Sequence, residues 1–271
     1  MGHPLTAPGC LMTPISFYWF ISCYRTLATT MRNKLKDLLT RWPAAAPITS
    51  AQLATLGVSA DLAVHYARTG WLERLARGVY AHPGQPLELE PSLRLLQEQV
   101  PGLHVGGKTA LDWYGLRHYI AQRPALQLYG WESATLPAWF RARFGGEYHR
   151  KRLFTEDPAS MQGVSPFEQR ADAPQVSSPE RALLELLDEV GVRQSLQEAR
   201  EITEGAYTLR AEMLMALLRR CVRIKTVRLC LALGREFALP WSDKLDVASL
   251  STGSARPWIS KTKDGLLILK P

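Results

Sequence analysis

The stretch that decides the fold of the first domain is Thr49 to Ala81, TSAQLATLGVSADLAVHYARTGWLERLARGVYA. It reads as a helix, a tight turn, a second helix and a short two-stranded ribbon. Thr49 with Gln52 three residues later is a capping-box start for the first helix, and Gly57 supplies the residue that ends it. Ser59 then caps the second helix. The sequence therefore predicts a winged helix-turn-helix.

The second helix, from about Ala60 to Thr69, has an apolar inner face and a polar outer face. Four residues spaced i, i+3, i+4 and i+7 share the outer face: Asp61, Val64, His65 and Arg68. A helix of this size fits the major groove of DNA, where exposed polar side chains read base edges. These four residues are therefore the candidate readers of sequence.

The ribbon that follows is predicted from two short β-like runs, Trp71 to Leu75 and Val79 to Ala81, joined by a loop that contains Gly78. Arg74 and Arg77 fall on this wing. Arginines at such a position contact DNA phosphates or the minor groove, so both are candidate DNA-binding residues.

Composition favours a polyanionic partner. The chain has 271 residues, a formal charge of +8 and an isoelectric point near 9.5, and such a basic balance is typical of proteins that meet nucleic acid. Four cysteines are widely spaced: Cys10, Cys23, Cys221 and Cys230. This spacing indicates neither a disulfide framework nor a zinc site, and a reducing cytoplasm fits it.

We expect three segments: residues 1–30 as an N-terminal extension, 31–90 as the winged domain and 91–271 as a C-terminal domain. The extension contains an apolar run, Leu11 to Tyr24, that is too short for a transmembrane helix and is interrupted by Pro14. A helix predicted from Met31 to Trp42 begins the winged domain. Residues 1–30 are therefore either disordered or the product of a wrongly assigned start.

One motif suggests a different class of protein. Gly102 to Thr109, GLHVGGKT, matches the phosphate-binding P-loop letter for letter. A P-loop follows a buried strand and needs a later acidic strand that holds a metal ion. Here a helix from Pro91 to Val100 precedes it and no such acidic strand follows. ATP binding is therefore the weaker reading, and a helix from Lys108 to Tyr114 is expected instead.

The rest of the chain predicts two strands, Ala125 to Gly130 and Gly146 to Phe154, and then helices. Ser178 caps a clear helix with Pro179 at its first position. Further helices and a closing hairpin are predicted at these ranges: Arg193 to Glu204, Arg210 to Leu218, Ile224 to Phe237, and Trp258 to Leu269. The predicted fold class is α+β and mostly α, with a winged helix-turn-helix and a larger C-terminal α/β domain ending in a helical bundle.

A basic stretch crosses the last two helices. Its members are Arg219, Arg220, Arg223, Lys225, Arg228 and Arg235. It is either a solvated face or a second DNA surface, and phosphate contacts there would make affinity fall steeply with salt. We predict that the first five contact DNA.

Catalytic signals are missing from the sequence. The histidines have no metal-like or triad spacing, and G-x-S-x-G, E-x-K and D-x-K do not occur. The sequence therefore predicts a binding protein that is not an enzyme and has no catalytic residue, metal or cofactor.

Three segments resemble the AbiEi-type antitoxins of type IV toxin–antitoxin systems. The winged region matches the pattern GVS...G-x-L-x-R-x-x-R-G-V-Y through Gly57, Val58, Ser59, Gly70, Leu72, Arg74, Arg77, Gly78, Val79 and Tyr80. HVGGKTAL resembles the structural signature that starts the family's second domain, and SPERA resembles the element that opens its C-terminal bundle. The resemblance covers about Met31 to Pro271.

This resemblance implies a cytoplasmic transcriptional autorepressor that binds inverted repeats in its own promoter, as a monomer in solution or a dimer on double-stranded DNA. It also implies that the C-terminal domain antagonises a nucleotidyltransferase toxin, without the need for a stable complex, and that no membrane is involved. The alternative is a winged-helix regulator of other genes whose C-terminal domain serves oligomerisation or sensing.

Overall fold

The computed structural model describes residues 36–116, 125–262 and 265–270. The N-terminal extension predicted for residues 1–30 lies outside these ranges. The chain divides into two compact units, with the boundary between Pro86 and Leu87.

The first unit has the predicted element order with one additional strand. Its helices are α1 (36–41), α2 (Ser50–Thr55) and α3 (Ala60–Arg68), and its strands are β1 (Ile48–Thr49), β2 (Glu73–Ala76) and β3 (Val79–Ala81). The strands form an antiparallel sheet in the order β1-β3-β2. The ribbon predicted from sequence therefore forms the central strand β3 and the edge strand β2 of a three-stranded sheet.

Local capping chemistry fixes the helices of this unit. Thr49 Oγ1 accepts a hydrogen bond from the Gln52 amide at 3.2 Å, and Gln52 Oε1 accepts one from the Thr49 amide at 2.9 Å. The capping box is thus confirmed. The buried core takes residues from all three helices, from strands β1 and β3 and from the connecting segments: Leu38, Trp42, Ile48, Leu53, Val58, Ala63, Tyr66, Leu72 and Tyr80. This core holds α3 against the sheet with its polar side outward.

The second unit is α+β, as predicted. Its helices are α4 (Leu89–Gln99), α5 (Gly107–Trp113), α6 (Ala138–Phe144), α7 (Pro179–Asp188), α8 (Leu196–Glu204), α9 (Ala211–Arg220) and α10 (Ile224–Glu236). Its strands are β4 (His104–Val105), β5 (Gln127–Gly130), β6 (Glu147–Arg150), β7 (Val164–Pro166), β8 (Gln175–Ser177), β9 (Trp258–Thr262) and β10 (Gly265–Leu269).

Five of these strands form one mixed sheet in the order β6-β5-β4-β8-β7. The central strand β4 pairs antiparallel with β5 and parallel with β8, and β9 and β10 form a separate antiparallel hairpin. Helix α7 is buried along its length and packs against α5, α9 and α10. The charges of α7 therefore lie inside the unit.

One prediction about these elements needs correction, because the strand predicted for residues 146–154 ends at Arg150. The structure also contains helix α6 and the short strands β7 and β8, for which no bounds were predicted. Strands β7 and β8 have three residues each; they pair with one another, and β8 also pairs with the distant strand β4. Such short runs carry little periodic signal in their local sequence.

Candidate nucleic-acid interface

Helix α3 presents the outer face predicted from sequence. Ser59 Oγ accepts a hydrogen bond from the Leu62 amide at 3.3 Å and so starts the helix. On the opposite side from the core, Asp61, His65 and Arg68 are exposed and Val64 is half-buried. Within the described residues, no ion pair or hydrogen bond engages the side chains of the three exposed residues, so they are free to meet a ligand.

The wing presents Arg74 and Arg77. Both side chains are exposed, and Arg74 makes one long contact at 3.4 Å from its Nε to the Ala76 carbonyl oxygen. A register shift between Arg74 and Ala76 twists the strand at this point. Arg77 lies in the turn between β2 and β3. The two cations are thus carried on a short, strongly bent hairpin.

The turn of the wing is fixed to the beginning of α2. The Ser50 amide donates a hydrogen bond to the Gly78 carbonyl oxygen at 2.8 Å. Gly78 has a φ of +72°, and a Cβ at this position would lie 3.2 Å from Ser50 Oγ. The glycine therefore allows both the turn and the close approach, which together set the position of Arg77.

The basic stretch of the second unit divides into exposed and occupied residues. Arg219, Arg220 and Arg223 are exposed at the end of α9 and the start of α10. Arg219 also donates a hydrogen bond to Ser249 Oγ at 3.2 Å and lies 3.9 Å from Asp246. These three residues remain available to a polyanion.

Two predicted DNA-binding residues in this stretch are occupied by internal contacts. Lys225 Nζ donates to the carbonyl oxygens of Asp188 at 2.6 Å and Val190 at 3.0 Å. Arg228 is buried, and its guanidinium donates to the carbonyl oxygens of Thr252 at 2.6 Å and Arg256 at 2.9 Å. The structure therefore does not favour contact between DNA and either Lys225 or Arg228, because both cations hold neighbouring backbone in place.

The segment that resembles a P-loop is filled by a carboxylate. Its residues form β4 and the start of α5, and the Gly107 amide donates a hydrogen bond to Glu185 Oε2 at 3.1 Å. A Cβ at Gly106 would lie 2.3 Å from the same oxygen. The Lys108 ammonium pairs with Glu198 at 3.0 Å. These contacts account for the glycines and the lysine without a nucleotide.

Glu185 is the centre of a buried charge network. Its carboxylate accepts hydrogen bonds from Arg181 Nε at 2.9 Å and Ser177 Oγ at 2.9 Å, and it lies 2.9 Å from His104 Nε2. Burial alone raises the pKa of Glu185, but His104, Arg181 and the Gly107 amide outweigh it and leave the pKa below its usual value. Arg181 also pairs with Glu156 at 2.6 Å. The carboxylate is thus ionised and fully used.

A second network closes the C-terminal end of α7. Lys151 Nζ lies 2.9 Å from Asp188 Oδ2 and 3.0 Å from Glu189 Oε1, and His149 Nδ1 lies 3.5 Å from the same Glu189 oxygen. Burial alone would raise the pKa of Glu189, but the nearby His149 and Lys151 outweigh this effect and lower the pKa to about 2. The sequence did not predict that the residues of either network come together. The one local signal was the i, i+4 spacing of Arg181 and Glu185.

In the ranges that the structure describes, no group of three or more His, Cys, Asp or Glu side chains is placed to hold a metal ion. No helix in those ranges has the length and apolar character that crossing a membrane requires.

Comparison with solved structures supports the fold. The chain is similar to a crystal structure of the RV2827C protein from Mycobacterium tuberculosis, with a TM-score of 0.52 and 16% sequence identity, over 85% of this chain and 87% of that one. At this identity the likeness concerns the fold alone. A search of curated proteins finds no match to this chain.

Family comparison covers almost everything after residue 30. Residues 31–122 match a family model described as the N-terminal domain of an AbiEi antitoxin and transcriptional regulator. Residues 123–270 match a model described as a transcriptional regulator, AbiEi antitoxin, of a type IV toxin–antitoxin system. The chain therefore belongs to the AbiEi family of antitoxins and transcriptional regulators of type IV toxin–antitoxin systems.

Proposed function

We propose that this chain is a DNA-binding autorepressor and antitoxin that acts in the cytoplasm. Its winged helix binds inverted repeats in the promoter of its own operon, and its second unit antagonises a nucleotidyltransferase toxin encoded beside it. The observation that carries the DNA-binding part is the set of exposed side chains on α3 and the wing that make no ion pair or hydrogen bond among the described residues, above all His65, Arg68 and Arg77.

Each residue of this surface has a chemical role in the proposal. His65 and Arg68 hydrogen-bond to base edges in the major groove, and Val64 packs against a thymine methyl group. Asp61 repels phosphate, so it contributes by accepting a hydrogen bond from a cytosine amino group. Arg74 and Arg77 contact phosphates or the minor groove and set the register of the protein on the duplex.

A separate DNA surface in the second unit is formed by Arg219, Arg220 and Arg223 in this proposal. All three are exposed and lie close together along the chain. Phosphate contacts by these residues release counterions, so they contribute affinity that falls with salt and does not depend on sequence. Lys225 and Arg228 are left out of the proposal because their donors are already used.

The assembly proposed on DNA follows from the symmetry of the operator. An inverted repeat has a two-fold axis, and a dimer with the same symmetry places one α3 in each half-site. The protein is monomeric in solution in this proposal and dimerises on the operator. Antagonism of the toxin requires no stable complex. We propose no catalytic activity for the chain, in agreement with its membership of a regulator family.

DNA binding is tested by fluorescence anisotropy of the full chain on duplex DNA from upstream of its own gene, with scrambled duplex for comparison, over a salt series. We expect Arg77→Ala to weaken binding to every duplex and to reduce the salt slope by about 1, because one phosphate contact is lost. We expect His65→Ala to cost about 1–3 kcal/mol on the operator and to relax sequence preference, because a base contact is lost.

Lys36→Ala is the matched control, because it removes one exposed charge from α1, outside the proposed interface. Equal binding of wild type, Arg77→Ala and His65→Ala would show that α3 and the wing are not the DNA surface. Selective binding to other promoters and none to its own would favour the alternative, a regulator of unrelated genes.

Toxin antagonism is tested by co-expression with the neighbouring nucleotidyltransferase, with each gene under its own inducible foreign promoter. We expect the full chain to restore growth, and the His65→Ala, Arg77→Ala double variant to restore it equally, because promoter repression plays no part in this arrangement. Loss of rescue in a double variant that is still expressed and folded would assign antagonism to DNA binding instead.

A further inference from the structure

A cavity in the second unit has a lining that does not include Glu185 or its partners. Its volume is about 510 Å³, which falls in the range of about 300–1,000 Å³ that is typical of small-ligand sites. It is bounded by Asp188 at the end of α7, by the first turn of α10 and by the segment from Ser254 to Trp258. A Cβ at Gly253 would lie 2.7 Å from Ile224 Cδ1, so the glycine lets this segment approach α10 closely.

The lining is strongly cationic, with two of its cations unoccupied. Lys151, Lys225 and Arg228 already have partners inside the protein. Arg223 and Arg256 are exposed, and their guanidinium groups have no partner among the described residues. A guanidinium presents a planar set of donors that matches phosphate, so this pair offers an anion two free binding groups.

The beginning of α10 strengthens the same region. This helix has 13 residues, no side chain caps its N-terminus, and its first turn contains no acidic residue. By contrast, serine side chains cap α3, α7 and α8. Arg223, Ile224 and Lys225 line the cavity, so the positive end of the α10 dipole adds to the charge of the two arginines there.

Apolar side chains stand beside these charges. Val192, Val222 and Ile224 line the cavity and are 62%, 54% and 38% exposed, although such residues are normally buried. Pro257 and Trp258 complete the apolar part of the wall. A ligand that satisfies this lining has an anionic group and an apolar, flat portion that can pack on an indole ring.

We propose that this cavity binds a nucleoside phosphate, with the phosphate held by Arg223, Arg256 and the N-terminus of α10 and the base packed against Ile224 and Trp258. The cavity has room for a single nucleotide, whereas a bare phosphate would leave the apolar wall uncovered. The site is separate from the P-loop-like segment, whose glycine amide is bound to Glu185.

The test is isothermal titration calorimetry of the full chain with each common ribonucleoside 5′-monophosphate, and with inorganic phosphate and the free nucleosides. We expect saturable binding of at least one nucleotide and much weaker binding of phosphate or nucleoside alone. Arg256→Ala and Arg223→Ala should each weaken nucleotide binding about tenfold, because each removes a charge-assisted hydrogen bond.

Arg219→Ala is the matched control, since it removes an exposed arginine outside the cavity lining. The thermal midpoint of each variant shows that it is folded, and Arg256→Ala should keep the operator affinity of the wild type. The proposal fails if no nucleotide binds at millimolar concentration, if Arg219→Ala weakens binding as much as Arg256→Ala, or if inorganic phosphate binds as tightly as the nucleotides.

Discussion

Replacing Glu185 with alanine is expected to lower the free energy of unfolding by about 3–5 kcal/mol, because one partner of a buried, hydrogen-bonded ion pair is removed. Arg181 would keep its charge at 3% exposure with Glu156 as its remaining acidic partner. The Ser177 hydroxyl and the Gly107 amide would also lose their acceptor. The loss of stability therefore includes the cost of leaving several buried donors without an acceptor, in addition to the loss of the Arg181–Glu185 ion pair.

The measurement is chemical denaturation combined with hydrogen exchange at the amides of α5 and α7, which reports the second unit separately from the first. Glu201→Ala is the control, because it removes a carboxylate from an exposed position on α8 and should stay within about 0.5 kcal/mol of wild type. Glu185→Gln keeps the shape and one acceptor, so its loss should be smaller. A Glu185→Ala variant as stable as wild type would refute a stabilising role for the network.

Replacing Arg228 with methionine is expected to lower the free energy of unfolding by about 2–4 kcal/mol. Hydrogen bonds to a charged group contribute about 1.5–3 kcal/mol each. The expected loss is smaller than their sum because some of the freed carbonyls can reach water. The buried guanidinium donates to the carbonyl oxygens of Thr252 and Arg256, which precede β9, and to that of Leu269 at the end of β10. Methionine fills a similar volume but donates nothing.

Hydrogen exchange should localise this effect to segment 252–258 and β10, with α5 and the centre of α7 unchanged. Arg235→Met is the matched control, because Arg235 is exposed on the same helix, and it should change stability by less than about 0.5 kcal/mol. If Arg228→Met and Arg235→Met lowered the free energy of unfolding equally, the hydrogen bonds of Arg228 would make no contribution to stability beyond the change in helix propensity.

Features set by neighbouring residues were predictable from sequence. Thr49 with Gln52, Ser59, and Ser178 with Pro179 each act within one helical turn, and the structure confirms all three helix starts. The outer face of α3 followed from helical spacing and is exposed as predicted. These predictions succeeded because the interactions that determine them are local.

Features that depend on distant partners were not predictable in the same way. Arginine is a residue type that usually lies on the surface. Arg228 is buried because its guanidinium donates to the distant carbonyl oxygens of Thr252 and Arg256. Strand β8 exists because Val176 pairs with Val105 across the sheet. Chain folding places Arg223 and Arg256 in the lining of one cavity beside α10, and no spacing in the sequence indicates that they share it.

Helix α7 carries charged residues that are buried at both ends and in the middle, and each has a partner from another part of the chain. Glu180 is met by Arg210, Glu185 by His104, and Asp188 by Lys151. An arrangement of the second unit that buried α7 without these partners would leave its charges dehydrated and unmatched, which is costly. The charges of α7 thus contribute to the specificity of the fold, because they raise the free energy of wrong topologies more than they lower that of the correct one.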